Sequence, residues 1–122
     1  MALIDVANEL VAGCRDGREE ANLDKIYAAD AVSVEAQDFS GMGRETAGVE
    51  GIKGKHQWFG SMYEILEQKI SDPMPHGEDR FAVTFEMKSK NKETGEIENM
   101  NEIAVYHVAN DKIVREEFFY TS

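Results

Sequence analysis

Glu102 and Glu116 lie in two alternating C-terminal stretches whose nearest same-face positions, Met100, Ala104 and Tyr106 in one and Val114, Phe118 and Tyr120 in the other, are apolar, aromatic or small. Two carboxyl groups in a desolvated cavity cannot both ionise cheaply. One then keeps a proton near neutrality, and the pair can protonate one atom while deprotonating another. Whether they converge depends on the turn between their strands, because a one-residue slip moves every side chain to the opposite face. A two-residue turn at Asn110-Asp111 would set Tyr106 opposite Arg115 and Ala104 opposite Glu117. A three-residue turn over Ala109, Asn110 and Asp111 sets Tyr106 opposite Val114, Ala104 opposite Glu116, Glu102 opposite Phe118 and Met100 opposite Tyr120. The second register is preferred, since it puts Val114, Phe118 and Tyr120 on the concave side and leaves Arg115 toward water. Glu102 and Glu116 then become diagonal neighbours about 7–8 Å apart at the backbone, with small Ala104 leaving room between them. The competing reading has one acid pointing outward or paired with Arg115, Arg80 or Lys55, because burying an unpaired charge costs several kcal/mol.

Other residues could complete a ligand site. Tyr27 and Tyr120 can donate hydrogen bonds to a ligand oxygen, and His56 can shuttle a proton at neutral pH. Trp58, Phe59 and Met62, on the same helical stretch as His56, and Phe85, Met87, Met100, Tyr106 and Phe118 supply apolar wall. Each has a plainer reading as core, or as a ring whose polar atom bonds locally. Gly41-Met-Gly43, Gly48 and Gly51-Ile-Lys-Gly-Lys55 do not complete a phosphate-cradling loop, and the glycine-rich stretch reads as flexible cover near a pocket mouth. His56, His76 and His107 lack metal-ligand spacing, so neither a metal nor another cofactor is expected. Cys14 lies on the apolar stripe of the first helical stretch and reads as a buried thiol.

These side chains must be carried by a chain of 122 residues, 42% hydrophobic and 30% charged, with a net charge of −11. That is one domain, long enough to close a core and enclose a pocket. The acidic excess repels phosphate backbones and anionic lipid, which argues against nucleic-acid and membrane partners. A single cysteine and no readable signal peptide give cytoplasmic as the expected compartment.

Apolar spacing of three and four predicts a helix from Leu3 to Cys14 and a second from about Arg18 to Ala28. In Ala31–Ala36 the period switches to two, with Val32, Val34 and Ala36 as the buried face of a strand. Asp38–Gly48 reads as a loop. A third helix, about Glu50 to Tyr63, is apolar around more than half its circumference and should be packed on two sides. Leu66 to Ile70 predicts a short strand ending in an edge or bend at Asp72-Pro73-Met-Pro75. Strands follow at Phe81–Lys88, Glu96–Ala109 and Lys112–Tyr120, the first two joined by a polar loop. Two helices, a strand, a helix and then consecutive hairpins predict an α+β domain whose helices cover one face of a curved antiparallel sheet. Ile103, Val105, Ile113 and Phe119 fall on the outer face of the last strands among His107, Arg115 and Glu117, which suggests a twofold homodimer.

Tyr27-Ala-Ala-Asp-Ala-Val-Ser-Val-Glu35, Gly51-Ile-Lys-Gly-Lys-His-Gln-Trp-Phe59 and Val105-Tyr-His-Val-Ala-Asn-Asp-Lys-Ile-Val-Arg-Glu-Glu-Phe-Phe-Tyr120 resemble the SnoaL-like branch of the nuclear-transport-factor-2-like superfamily across nearly the whole chain. The resemblance implies a cystatin-like cone in which a bent sheet wraps three helices, its open end holding a mostly apolar pocket for a small organic ligand. It also points to a homodimer. It fixes no reaction, because the superfamily holds isomerases, cyclases, an epoxide hydrolase, dehydratases and binding proteins. The isomerase base falls at Ala36, its second acid at Ala104, and its tyrosine donor near Ala12 or Cys14. The hydrolase pattern keeps its acid in Met100-Asn-Glu102 but lacks the arginine, and the cyclase aspartate falls at Phe118. Tyr27 matches a pocket tyrosine. Two functions therefore stand side by side. One is a cofactor-free proton-transfer enzyme of the isomerase, cyclase, hydrolase or dehydratase kind, with Glu102 and Glu116 as acid and base. The other is a binding or sequestering protein using the same pocket without turnover.

Overall fold

The computed structural model describes residues 2–38, 41 and 43–120. Residues 39, 40 and 42 of the expected glycine-rich cover lie outside the described residues. The order is α1 (Leu3–Asp16), α2 (Glu19–Lys25), β1 (Tyr27–Val34), β2 (Glu45–Ala47), α3 (Val49–Met62), β3 (Tyr63–Ile70), β4 (Met74–His76), β5 (Arg80–Asn91), β6 (Ile97–Ala109) and β7 (Lys112–Phe119). The strands form one curved, unclosed sheet in the order β2-β1-β7-β6-β5-β3, with short β4 beside β5. All pairings are antiparallel except β1 with β7, which run parallel, so the sheet is mixed.

The helices cover one face. Val6, Ala7, Leu10 and Val11 of α1, Leu23 of α2 and Ile52 of α3 meet Phe81, Val83, Ala104 and Ile113 of the sheet in a single core. Gly17 adopts a left-handed φ of 75° and ends α1, its N–H returning to the Gly13 carbonyl. Among the described residues no helix is long and apolar enough to cross a membrane.

The second helix stops at Lys25, three residues early. Its carbonyl edge is claimed by the sheet: the Ile113 N–H donates to the Ile26 carbonyl at 2.8 Å, drawing Tyr27 into β1. The stretch read as a loop holds β2, whose Glu45, Thr46 and Ala47 pair with Val34, Ser33 and Val32. Its three residues are too few for periodicity to reveal.

The closing hairpin differs from the preferred three-residue turn. Asn110 and Asp111 both have positive φ, 52° and 64°, which is the geometry of a two-residue turn matched to the twist of its strands. Val108 pairs with Ile113, but His107 then pairs with Arg115, leaving Val114 as the extra residue of a bulge. The bulge restores the expected face parity two residues further along: Tyr106 pairs with Glu116 and Ala104 with Phe118. Val114 is therefore not a concave-face residue opposite Tyr106. Ile113, which precedes the bulge, turns into the core and is fully buried instead of joining the outer face.

Candidate functional site

Between α3 and the concave face lies a cavity of about 940 Å³. Its wall includes Leu10 and Cys14 of α1, His56, Trp58 and Phe59 of α3, Phe85 and Met87 of β5, Met100, Glu102 and Tyr106 of β6, and Glu116, Phe118 and Tyr120 at the last strand. Tyr27 lines it from β1. Of the residues predicted for the site, only Met62 is not on this wall; it sits half-buried at the end of α3. The expectation that α3 packs on two sides fails for the same reason that the cavity exists. Only Val49 and Ile52 of that helix are buried; Phe59 is half-buried, its ring stacked on Tyr63, and Trp58 is 44% exposed.

The two acids are not diagonal neighbours. Glu116 stands beside Tyr106, while Glu102 lies four residues further along β6, roughly 13 Å at 3.3 Å per residue. Each has its own surroundings. Glu116 is fully buried, with the Tyr27 and Ser33 hydroxyls within bonding reach of its carboxyl. Burial pushes its pKa up, and the Lys55 charge and the two hydroxyls pull the other way. One of its oxygens, Oε1, has no hydrogen-bond partner among the described residues. Burial likewise pushes the Tyr27 and Tyr106 hydroxyls well above the ordinary tyrosine range, with Glu116 adding to both.

Glu102 lies next to Ile103, where the β6–β7 pairing ends, and its carboxyl is pushed up to about 7. Desolvation is the main cause; repulsion from Glu35 follows, Lys55 opposes it, and Glu116 contributes least. Such a group is half ionised at neutral pH and can both give and take a proton. His56 is depressed, first by burial and then by Lys55, so its ring is neutral in this environment. Cys14 is raised to about 12 by burial, which makes it inert as a nucleophile.

Sequence reasoning missed a polar wall. Ser33 is fully buried and pairs in register with Glu116, so the polar face of β1, not only the valine face, turns inward. Just beyond that strand, Glu35 Oε1 accepts from Lys55 Nζ at 2.8 Å, and its Oε2 accepts from the Tyr120 hydroxyl at 3.0 Å. Lys55 also donates to Ser33 Oγ and holds its ammonium 5.3 Å from the Phe118 ring centroid. Lys55 is thus fastened to Glu35, not to Glu102 or Glu116. Arg80 bonds Asp79 and Arg115 lies nearest Glu117, so neither occupies an acid of the cavity. The signal was present in the sequence: an alternating strand flanked by Ser33 and Glu35 belongs to a site once its polar side faces the concavity.

The SnoaL-like domain profile matches residues 1–120. A SnoaL-like polyketide cyclase candidate from Mesorhizobium loti superposes with a TM-score of 0.90 at 30% identity, over 98% of this chain and all (100%) of that one. A protein of cystatin-like fold from Xanthomonas campestris gives 0.79 at 18% identity, covering 100% and 92% of the two chains. A protein of ketosteroid isomerase-like fold from Catenulispora acidiphila, solved with trimethylamine, gives 0.71 at 18% identity over 98% and 85%. No curated protein matches the sequence. With the profile spanning the domain and a solved relative superposing along its whole length, the chain belongs to the SnoaL-like domain family.

Proposed function

We propose that this chain is a cofactor-free acid–base enzyme acting on a small, neutral, largely apolar organic molecule. Glu102 carries the reading: a carboxyl with a pKa of about 7, on the wall of an apolar cavity of about 940 Å³. A carboxyl with no chemical role would gain stability by reaching water, whereas one poised at the working pH is what proton transfer needs. Glu116, Tyr27 and the aromatic wall bind and orient the ligand, and the acidic surroundings of Glu35, Glu102 and Glu116 select against anionic substrates. The solved Mesorhizobium loti relative, described as a candidate SnoaL-like polyketide cyclase, is compatible with this reaction class. The test is turnover of neutral carbonyl and epoxide compounds by the purified chain across pH 5–9. Conversion with an inflection near pH 7 supports the reading. A compound that raises the melting temperature yet is recovered unchanged at every pH favours the binding-protein alternative.

We also propose that two copies associate through the outer sheet face. Ile103 and Phe119 are paired across β6 and β7 and are 46% and 49% exposed. Charging this patch with Ile103→Asp and Phe119→Asp together should convert a sedimenting dimer to monomer with the fold unchanged; a parent chain that sediments as a monomer contradicts the assembly.

A further inference from the structure

We propose that Lys55 is a catalytic residue: its ammonium group receives the substrate oxygen that becomes negative when Glu102 takes a proton from the neighbouring carbon. This rests on the reading of Glu102 as the proton-transfer group and adds a substrate class, a neutral carbonyl compound with a hydrogen on the adjacent carbon.

The geometry of Lys55 carries the inference. Its side chain is 21% exposed and lines the cavity from α3, whereas Lys53 of the same helix, 19% exposed, pairs with Asp24 and is not on the cavity wall. Two of its three N–H donors go to Ser33 Oγ and Glu35 Oε1, and among the described residues no side-chain or backbone atom accepts the third. Glu35 is itself held by Tyr120 at 3.0 Å, and Phe118 lies under the ammonium, so the cation is fixed before any ligand arrives. A preorganised donor in an apolar site costs no reorganisation when charge develops. Arg44, the other strong cation at the cavity, is exposed and spends its Nε–H on the Glu35 carbonyl.

The charge of Lys55 reaches three titrating groups on this wall. It favours the ionised forms of Glu102 and Glu116 and disfavours the charged form of His56. Ser33 and Glu35 face it from the β1 side, Glu102 from β6, and Glu116, Phe118 and Tyr120 from the last strand. In the reaction step, the Glu102 carboxylate removes the proton: a C–H bond breaks, an O–H bond forms on Glu102, and the electron pair moves through the carbonyl to its oxygen. One negative charge leaves Glu102 and one appears on the substrate, so the cavity keeps its net charge, and Lys55 keeps its bond to Glu35 while its third N–H meets the new anion. Return of a proton to the opposite face of the same carbon completes an epimerisation with no other reactant.

The experiment follows deuterium uptake next to the carbonyl of 1-tetralone, by proton NMR, in the presence of the full chain in D2O near neutral pD. The chain should accelerate exchange over buffer. Lys55→Met should lower the maximal rate about 100-fold, as loss of one oxyanion donor does, with the half-saturating concentration changed less than about threefold. Lys55→Arg should return to within about tenfold of the parent, and Lys53→Met should match the parent. Methionine keeps the apolar stem against Phe118; if that variant melts early, Lys55→Gln is measured in its place. Exchange by Lys55→Met within about threefold of the parent, with Glu102→Gln inert, overturns the assignment of Lys55 and leaves the proton-transfer reading standing. Exchange undiminished in Glu102→Gln overturns that reading itself, and no acceleration by the parent chain overturns the substrate class.

Discussion

Glu102→Gln should lower kcat by at least about 100-fold and yield a chain more stable than its parent above neutral pH. The loss of rate follows from removing the group that moves the proton, since a positioned acid or base supplies about 10²–10⁴-fold. The parent's kcat/KM should bend near pH 7, where this carboxyl ionises, and the bend should vanish in the variant. The gain in stability has the opposite origin. Glu102 ionises at about 7 in the folded chain against 4.5 ordinarily, so between those values the folded state holds more protons than the unfolded one. Stability is then highest below pH 4.5 and falls as pH rises through 7, above which the full penalty of a desolvated carboxylate is present. Glutamine never ionises, so at pH 8 the variant should be more stable by about 2 kcal/mol, allowing for partial solvent screening. The advantage should shrink to nothing below pH 4.5. Thermal melts at pH 4 and pH 8 beside rate profiles separate the two effects, and a variant that is active or equally stable at both pH values contradicts this account of Glu102.

Phe81→Ala should cost about 3–5 kcal/mol and lower the melting temperature by about 10–20 °C. Phe81 is fully buried at the centre of the core, stacked on Tyr106 with ring centroids 4.9 Å apart. Its removal leaves a void that the surrounding strands cannot close, because Val83, Ala104 and Ile113 are fixed by the sheet ladder. Tyr106 continues from that core to the cavity and stands beside Glu116, so the loss should also loosen the inner wall of the site. Urea unfolding at neutral pH measures it. A midpoint within the error of the parent would mean that the stack contributes nothing to the fold.

The element order was legible because periodicity survives wherever an element buries one face. Phe81, Val83 and Phe85 read as an inward face and are 0%, 0% and 8% exposed. The register of the last hairpin was not legible. Asn110-Asp111 signals a two-residue turn, but the bulge at Val114 that resets the faces depends on packing that no local pattern encodes. Parity was therefore right for Glu102, Tyr106, Glu116 and Phe118, while the assumed contact between the two acids was not. In sequence, Lys55 reads only as a partner for Glu102 or Glu116, and Glu35 goes unnoticed, because each looks like a solvated charge when its strand or helix is taken alone. Only the parallel pairing of β1 with β7, which sets Ser33 beside Glu116, brings them to the cavity.

The most direct measurement is the titration of the Glu102 carboxyl itself, followed by carbon NMR of chain labelled at glutamate side chains, with Glu102→Gln identifying the signal. The account predicts a midpoint near pH 7, moved upward in Lys55→Met because the opposing cation is gone. A midpoint near the ordinary 4.5 would place the side chain in water and contradict the acid–base reading.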